Sequence, residues 1–438
     1  MRRWNGWSDE GASPRIAAGA LKLLANALGP GRPQRDALFE DVLAAVPESR
    51  LAGDPGLSTE PADRVRHARG QSLPDWVALR SGRLGWLSDA VARPTTDDDV
   101  HRLFGQAGRA GAILIPFGGG TSVVGGVTPA PGEDRPAITV ATEALSGLHD
   151  LDVASGLATF GAGTVGPDVE AALAPHGLTL GHSPQSWERS TVGGWVATRS
   201  AGQQSMGFGR IEALFAGGRL VAPAGTLVMP PHPASAAGPD LRQLILGSEG
   251  RFGIVTETIL RTVPRPATEA LPAWFLPDWP RALAAARDIA RAGLPLSMAR
   301  LSTPVETETL LALGGRPGRV RALRTWLRMR GVGPTPSLLL VSASGPEKLV
   351  ELAVREVGSI VRRHGGTGVG GSLGRQWSRT RFRTPDLRDS LWDAGYAVDT
   401  LETAADWSRI GDLTDRVPAV LGSALEGDDE RVHVFSHL

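Results

Sequence analysis

The sequence predicts an α+β protein made of a helical lead-in, a mixed α/β domain and a second α+β domain. Three observations predict it. Residues 1–85 carry apolar positions at helical spacing, residues 86–265 alternate short apolar runs with helical stretches, and residues 266–438 carry longer helices around few strands. Alternating strands and helices are typical of a sheet with helices packed against it.

The helical lead-in rests on two stretches with helical periodicity. Ile16 to Leu28 carries apolar residues at helical spacing and stops at Gly29-Pro30, a pair that ends helices. Gln34 to Val46 repeats the pattern. The Pro- and Gly-rich stretch Arg50 to Glu60 is predicted to be a loop.

The mixed α/β domain begins with a predicted helix from Asp97 to Arg109, followed by a strand from Ala112 to Ile115. Further strands are predicted at Ala137 to Thr142 and at Leu157 to Phe160. A second helix is predicted at Val165 to Pro175.

The second α+β domain contains predicted helices at Arg281 to Ala292 and Glu347 to Arg363, the latter ending at Gly365-Gly366. Leu338 to Ser342 is predicted to be a buried strand. Arg431 to Leu438 alternates like a strand, after which the chain stops. We therefore expect the chain to be a fragment whose last domain is incomplete.

Composition excludes several classes of protein. The 438 residues contain 46 acidic and 46 basic side chains, so no overall charge attracts nucleic acid. The absence of cysteine excludes disulfides, thiolate zinc sites, iron–sulfur clusters and a cysteine nucleophile. No apolar run approaches the roughly 18 residues of a membrane span. We expect a soluble, cytoplasmic, bacterial protein, and no metal site, since no two histidines have the H-E-x-x-H spacing of a helical zinc site.

The first of three glycine motifs directly follows the strand that ends at Ile115. Successive glycines permit backbone conformations that a Cβ forbids, and such a turn can aim several N–H groups at one anion. A pyrophosphate is the natural occupant, and a flexible turn is the alternative. The residues predicted to bind it are Pro116, Gly118, Gly119, Gly120, Thr121 and Ser122.

The second and third motifs combine small residues with hydroxyls. In the second, small residues let a flat ring or a ribityl chain lie close to the backbone, and close packing of helix on sheet is the alternative. The predicted residues are Ser190, Thr191, Gly193, Gly194, Thr198 and Gly202.

In the third motif, a glycine turn leads into an apolar strand whose backbone could pair with a heterocycle, and an ordinary turn is the alternative. The predicted residues are Gly247, Ser248, Glu249, Gly250, Gly253 and Ile254.

In this order, the three motifs resemble the FAD-binding, PCMH-type domain of the vanillyl-alcohol-oxidase superfamily. G-G-G-T-S is followed about 70 residues later by S-T-V-G-G and about 55 residues after that by G-S-E-G-x-x-G. The resemblance implies that the first loop holds the pyrophosphate of FAD and that the others line its ribityl chain and ring. Members that bind flavin covalently use a histidine in the first loop. This loop has none, so we expect non-covalent FAD.

The whole chain is similar to the alkyldihydroxyacetonephosphate synthase family. The resemblance begins at Trp4 to Trp7 and continues through Arg66 to Gly70, Ser297 to Leu301 and Val398 to Trp407. It implies a PCMH-type FAD-binding domain over 86–265 and a substrate-binding cap domain over 266–438. The family exchanges the acyl group of acyl-dihydroxyacetone phosphate for a fatty alcohol, with the flavin N5 as a covalent trap.

The resemblance also implies two catalytic arginines. Arg388 matches the family arginine near the flavin N5, and Arg300 matches a second arginine of the substrate domain. A guanidinium can hold a phosphate or carboxylate with two parallel hydrogen bonds. A plain salt bridge is the alternative for each of them.

Three departures from the family put activity in doubt. The family's catalytic tyrosine and histidine-rich motif lie beyond the last residue of this chain, whose only tyrosine is Tyr396. Ser8 and Asp386 replace a glycine and a tyrosine that are usual in the family. General acid–base groups are typically worth about 10²–10⁴-fold in rate, so the chain could bind FAD without turning over.

Two other functions stay open. One is an FAD-dependent 2-hydroxyacid dehydrogenase or oxidase on the same scaffold, and the other is a non-catalytic flavin-binding remnant. For the leading function, the resemblance implies a lipid-like small-molecule substrate, peripheral membrane contact and a homodimer. No nucleic acid partner is expected.

Overall fold

The computed structural model describes residues 2–11, 14, 16–129, 132–314, 317–425 and 430–438. In this part of the chain the α-helices are α1 (Ala18–Leu28), α2 (Phe39–Ala44), α3 (Pro61–Arg66), α4 (Leu73–Ser81), α5 (Asp97–Ala110), α6 (Gly166–Leu173), α7 (Val192–Thr198), α8 (Ser205–Phe208), α9 (Ile211–Leu214), α10 (Arg242–Ile245), α11 (Trp279–Arg291), α12 (Pro304–Gly314), α13 (Pro317–Met329), α14 (Glu347–Arg363), α15 (Ser372–Thr380), α16 (Thr384–Asp393) and α17 (Ile410–Ala424).

The strands follow the same chain order. They are β1 (Leu57–Ser58), β2 (Ala90–Ala92), β3 (Ile113–Phe117), β4 (Ala137–Ala141), β5 (Leu148–Asp152), β6 (Leu157–Gly161), β7 (Leu178–Thr179), β8 (Phe215–Ala222), β9 (Gly225–Met229), β10 (Ile254–Arg261), β11 (Val263–Pro264), β12 (Thr268–Ala270), β13 (Ala273–Leu276), β14 (Leu296–Leu301), β15 (Ser337–Gly345) and β16 (Thr367–Gly370).

The chain divides into two compact units. The first comprises the segment before Pro14 together with Arg35–Arg265, and the second comprises Pro14–Gln34 and Pro266–Leu438. Helices and strands are mixed in both units, so the predicted α+β class is confirmed. Within the described residues, no helix has the length and apolarity that crossing a membrane requires.

The first unit is built on two larger sheets and a two-stranded pair of β7 with β11. One has the order β1-β2-β4-β3, in which β2, β4 and β3 are parallel. The other has the order β5-β6-β10-β8-β9 and is antiparallel throughout. Val140 and Leu103 belong to the core of the first sheet, and Phe160 and Trp195 belong to the core of the second.

Local sequence explains how α5 leads into the strand that precedes the first glycine motif. Thr96 caps α5: its hydroxyl accepts the amide of Asp99, whose carboxylate accepts the amide of Thr96 in return. Gly111, at φ 61°, ends the helix in the left-handed conformation that suits glycine. The chain then enters β3, whose carboxyl end carries the motif, as ligand loops of parallel sheets commonly do.

The second unit is one antiparallel sheet covered by helices. Its order is β12-β15-β13-β16, and β14 pairs with the free side of β15. Helix α14 buries Val350, Ala353, Val357 and Ile360, which recur every three or four residues along one face. The predicted bounds of this helix, Glu347 to Arg363, are confirmed.

Three predicted elements differ from the structure. The stretch from Arg50 to Glu60, predicted to be a loop, contains β1, which pairs with β2. The helix predicted from Gln34 to Val46 is limited to α2, because Asp36 binds Arg80 and the Ala37 amide donates to the Arg80 carbonyl, which holds the preceding residues extended. The strand predicted from Arg431 to Leu438 pairs only at its end, where Ser436–Leu438 lies antiparallel to Leu301–Thr303.

Candidate functional site

The loop after β3 presents a row of unused backbone donors. The amides of residues 118–123 donate to no acceptor among the residues that the structure describes. Thr121, in the middle of this loop, makes no side-chain hydrogen bond in that part of the chain either. Consecutive free amides in a glycine-rich turn form a nest for an anion. This loop therefore has the donor set that a pyrophosphate requires.

The glycines of this loop are required by its close contact with the second motif. A Cβ at Gly119 would lie 1.7 Å from the carbonyl oxygen of Arg189, and one at Gly118 would lie 2.4 Å from Thr191 Oγ1. Gly120 has φ 63°, which L side chains rarely adopt. The sequence predicted these glycines for the backbone conformation that aims N–H groups at an anion, whereas the structure shows that they also let two loops meet.

The hydroxyls predicted to bind cofactor are already engaged in the fold. Ser190 Oγ accepts from the buried Trp195 indole at 2.7 Å, and Thr191 caps α7 by accepting the amide of Gly194 at 3.2 Å. Ser122 Oγ accepts the amide of Gly126 at 3.0 Å. In each case the hydroxyl is the acceptor, so its own hydrogen stays available to a ligand.

Thr198 is engaged differently. Its hydroxyl donates to the Gly194 carbonyl at 2.9 Å, one turn back in α7. Only its lone pairs then remain, so Thr198 has the capacity to accept a hydrogen bond but not to donate one. The other small residues of the motif allow close backbone contact: a Cβ at Gly193 would meet Ala162 at 2.7 Å, and one at Gly202 would meet the Ser183 amide nitrogen at 2.7 Å.

The third motif docks on the end of α7 and on the first loop. The amide of Gly247 donates to the Val196 carbonyl at 3.1 Å, and that of Glu249 donates to the Ala197 carbonyl at 2.9 Å. A Cβ at Gly250 would meet the Pro116 ring at 2.8 Å. The three predicted motifs are therefore brought together at one place in the first unit.

At the start of β10, the strand that follows the third motif, one edge of the backbone does not pair with a neighbouring strand. Ile254 and Val255 pair with β8, whereas on the opposite side the Thr256 carbonyl accepts the Ala162 amide at 2.9 Å and pairing with β6 begins at Glu257. Gly253 enters this strand beside Val221, whose carbonyl oxygen would lie 2.4 Å from a Cβ at that position. This edge supports the prediction that backbone here pairs with a heterocycle.

Arg300 lies on β14 in an ion pair. Its Nη2 is 2.7 Å from Glu306 Oε1 and 3.0 Å from His437 Nδ1. Burial raises the pKa of the Glu306 carboxyl, but the hydrogen bond to His437 and the charge of Arg300 outweigh it, so the pKa is lowered. The salt bridge that the sequence left open as the alternative for Arg300 is therefore present, and a substrate role stays a prediction.

Arg388 lies on α16 and is half-buried. Its Nε donates to the Val398 carbonyl at 3.2 Å, which connects the helix to the segment resembling the family's acidic–aromatic stretch. The only tyrosine, Tyr396, donates its hydroxyl to the Gly29 carbonyl at 2.9 Å. Within the described residues, no three histidine or carboxylate side chains gather into a metal site.

Sequence reasoning missed the residues that hold the first loop from behind. Arg2 donates to the Gly119 carbonyl at 2.8 Å, and the Gln71 amide donates to the Ser122 carbonyl at 2.6 Å. Both lie just outside the segments that carry the family resemblance, Arg2 before Trp4 to Trp7 and Gln71 after Arg66 to Gly70. The resemblance therefore gave no role to these residues.

Two family models match this chain. The FAD binding domain matches residues 88–229, and the C-terminal domain of FAD linked oxidases matches residues 265–438. The free amides of the first loop lie inside the first match. Their donor set fits the pyrophosphate of FAD, so the fold, the loop chemistry and the family agree on this cofactor.

Two relatives of known type match most of this chain. The alkyldihydroxyacetonephosphate synthase of Dictyostelium discoideum is 30% identical over 80% of this chain and 58% of its own length. That of Trypanosoma brucei brucei is 28% identical over 92% of this chain and 72% of its own. The chain thus spans little more than half of the first relative.

A solved structure of an alkyldihydroxyacetonephosphate synthase superposes on the entire chain. The TM-score is 0.87 at 24% identity, and the match covers 100% of this chain and 86% of the other. At this identity the match shows a shared fold. The two matched domains therefore belong to the FAD-linked oxidase family, and the chain is related to the alkyldihydroxyacetonephosphate synthases over most of its length.

Proposed function

We propose that the protein exchanges the acyl group of acyl-dihydroxyacetone phosphate for a fatty alcohol, the reaction of the alkyldihydroxyacetonephosphate synthase family. The observation that carries the proposal is the row of free amides at residues 118–123 in a chain related to those synthases over 80% and 92% of its length. Residues 86–265 would bind the cofactor and residues 266–438 the substrate.

The residues of the first unit would bind FAD without a covalent bond. The loop over residues 118–122 contains no histidine and the chain contains no cysteine, so neither usual attachment group is available there. The amides of residues 118–123 would hold the pyrophosphate, while the hydroxyl hydrogens of Ser190 and Thr191 face no competing acceptor in their described hydrogen bonds. When bound, FAD supplies the flavin ring on which the exchange depends.

Arg388 would orient the phosphate or carboxylate of the substrate. Its Nε is fixed by the Val398 carbonyl, which limits the rotation of the guanidinium and makes its position on α16 definite. Arg300 would assist from β14, although its pairing with Glu306 reduces the charge that it presents to an anion. We therefore assign the larger role to Arg388.

The visible spectrum of the purified protein tests this function. We expect a flavin band that denaturation releases, and bleaching of that band when palmitoyl-dihydroxyacetone phosphate is added without alcohol. Arg388→Lys keeps the positive charge but loses the bidentate geometry. We expect it to retain the flavin band and to bleach at least about tenfold more slowly.

Two other results would contradict the proposal. Bleaching by lactate or 2-hydroxyglutarate but not by the lipid ester would favour the 2-hydroxyacid dehydrogenase. A flavin band that neither substrate class changes would favour a flavin-binding remnant without activity.

We further propose peripheral contact with anionic membranes through α13, consistent with a lipid-like substrate. The sequence Pro317 to Arg330 contains five arginines and no acidic residue. Arg319, Arg321 and Arg328 are exposed, and Met329 is 73% exposed beside them. An exposed cationic helix with an exposed apolar side chain at its end complements a surface of lipid phosphates.

Vesicle sedimentation tests the membrane contact. Arginine near an anionic bilayer is worth about 1 kcal/mol, so changing Arg319, Arg321 and Arg328 together to Gln should weaken binding to phosphatidylglycerol vesicles about a hundredfold. Changing the exposed Arg355, Arg362 and Arg363 of α14 to Gln removes the same charge and should have little effect. Equal losses of vesicle binding in both variants would show that binding depends on overall positive charge and not on α13.

The homodimer is likewise proposed, on the family resemblance. Light scattering of the FAD-loaded protein tests it, and a monomeric mass at micromolar concentration would contradict it.

A further inference from the structure

We propose that Arg2 is a positioning residue for the cofactor: it orients the glycine loop so that the loop amides face the pyrophosphate of FAD. The inference rests on the proposed role of residues 118–123. It concerns an N-terminal clamp, defined as residues 2–9, that contacts the first glycine motif and the residue that directly precedes the second.

The N-terminal clamp is a closed turn anchored in the first unit. The Arg3 amide donates to the Ser8 carbonyl at 3.1 Å, and Arg2 and Asp9 form an antiparallel bridge. Ser8 and Trp7 are 1% and 6% exposed, so the turn is packed against the rest of the unit. The two ends of the turn are therefore held side by side.

One end of the N-terminal clamp contacts the first motif. Arg2 Nη1 donates to the Gly119 carbonyl at 2.8 Å, and its guanidinium lies 5.8 Å from the centre of the Trp7 ring. In a trans peptide the carbonyl oxygen and the next amide hydrogen point in opposite directions. By holding the Gly119 carbonyl, Arg2 therefore sets the direction of the Gly120 amide.

A second contact orients the other end of the same loop. The Gln71 amide donates to the Ser122 carbonyl at 2.6 Å, which sets the direction of the Val123 amide in the same way. Two carbonyls of the loop are thus bound from outside, while the amides of residues 118–123 keep no acceptor in the described chain. Of the two outside donors, only Arg2 is a side chain and can be changed without altering the backbone.

The other end of the N-terminal clamp contacts Arg189, the residue that directly precedes the second motif. Asp9 Oδ1 lies 3.3 Å from Arg189 Nη2, and the Arg189 carbonyl is the atom against which Gly119 packs. The clamp therefore spans the contact between the two loops. Arg2 also contributes a positive charge beside a loop that would receive a dianionic group.

Binding of two flavins to the apoprotein tests the inference. FAD carries the pyrophosphate, whereas riboflavin has the same ring and ribityl chain without any phosphate. A charged hydrogen bond is worth about 1.5–3 kcal/mol, so Arg2→Gln in untagged protein should weaken FAD binding about tenfold to hundredfold. Riboflavin binding and the thermal midpoint of the apoprotein should stay near the wild-type values.

Two further variants complete the design. Arg3→Gln removes the same charge from the same turn, but Arg3 pairs with Asp36 at 3.2 Å, away from the loop, so FAD binding should change less than about threefold. Arg2→Lys keeps a charged donor and should recover part of the lost affinity.

The outcomes distinguish the role of Arg2 from the assignment of residues 118–123 to the pyrophosphate. Equal losses in Arg2→Gln and Arg3→Gln, or an equal loss for riboflavin and FAD, would overturn the role of Arg2. Wild-type protein that binds FAD no more tightly than riboflavin would instead overturn the assignment of residues 118–123 to the pyrophosphate.

Discussion

His182 is a buried histidine that connects the stability of the first unit to pH. It is 1% exposed, its ring centre lies 4.9 Å from that of Trp195, and its Nε2 lies 3.1 Å from Ser200 Oγ. Burial lowers the pKa of His182 to about 4 from an ordinary value of 6.5, because the charged ring would lose its hydration. The ring is therefore neutral at pH 7.

We predict that the first unit loses stability as the pH falls from 6.5 to about 4. In this interval the unfolded chain takes up a proton at His182 and the folded chain does not. The free energy of unfolding therefore decreases, by at most about 3 kcal/mol for this group. Above pH 6.5, His182 is neutral in both the folded and the unfolded chain. Below about pH 4 it is protonated in both, so the stability that it contributes decreases no further. Urea unfolding at a series of pH values measures it.

Two variants attribute this pH dependence to its source. His182→Gln removes the titration and should flatten the loss between pH 6.5 and 4. His176→Gln changes an exposed histidine of the same unit and should keep the wild-type slope. If His182→Gln also keeps that slope, the loss belongs to other groups.

At the residue scale, the sequence indicated which residue types gather at the site but not their partners. Gly118 and Gly119 were predicted from their run in the chain, and the structure places them in the expected loop. The contact of Gly119 with Arg189 could not be predicted, because it depends on how two distant loops approach. For the same reason, the sequence could not predict that Arg300 contacts Glu306 and His437, since these residues come together only in the folded chain.

At the element scale, prediction worked where one physical signal dominated. Helix α14 has a continuous apolar stripe, and α5 has a capping box at one end and a glycine at the other, so local chemistry alone specifies both helices. The stretch from Gln34 to Val46 has a similar periodicity. There, the ion pair between Asp36 and Arg80 requires an extended chain, and this tertiary contact prevails over helix propensity.

The glycine motifs could be found in the sequence without predicting the helices and strands around them. The sequence placed the second motif by its glycines and hydroxyls, and the structure places most of it in the short helix α7, which begins after Thr191. A helix of 7 residues is too short to show a clear periodicity. Its cap, in which Thr191 accepts the Gly194 amide, is the local signal that explains where it starts.

At the scale of the whole molecule, the lead-in predicted over residues 1–85 contributes to both units. Residues 14–34 belong with the second unit, where Arg32 donates its amide to the Gly395 carbonyl at 3.2 Å and Gly29 accepts from Tyr396. Gly31 and Gly395 allow this close backbone approach, since a Cβ at either would lie within 2.2 Å of a backbone atom. Such contacts join residues more than 300 positions apart, and periodicity cannot reveal them.

The division into two units leads to a final prediction about FAD. Each unit has its own sheet and its own buried core, so we expect calorimetry of the apoprotein to show two unfolding transitions. The amides of residues 118–123 lie only in the first unit. Saturating FAD, at about 100 times its dissociation constant, should therefore raise one transition by about 2.7 kcal/mol in stability.

A variant assigns the transition that FAD raises. Ala353→Gly removes a buried methyl group from the core of the second unit and weakens α14, and it should lower only the other transition. If FAD and this substitution move the same transition, the cofactor stabilises the chain as one cooperative body. In that case the stability of the second unit depends on occupancy of the first, and FAD content would control the folding of the second unit.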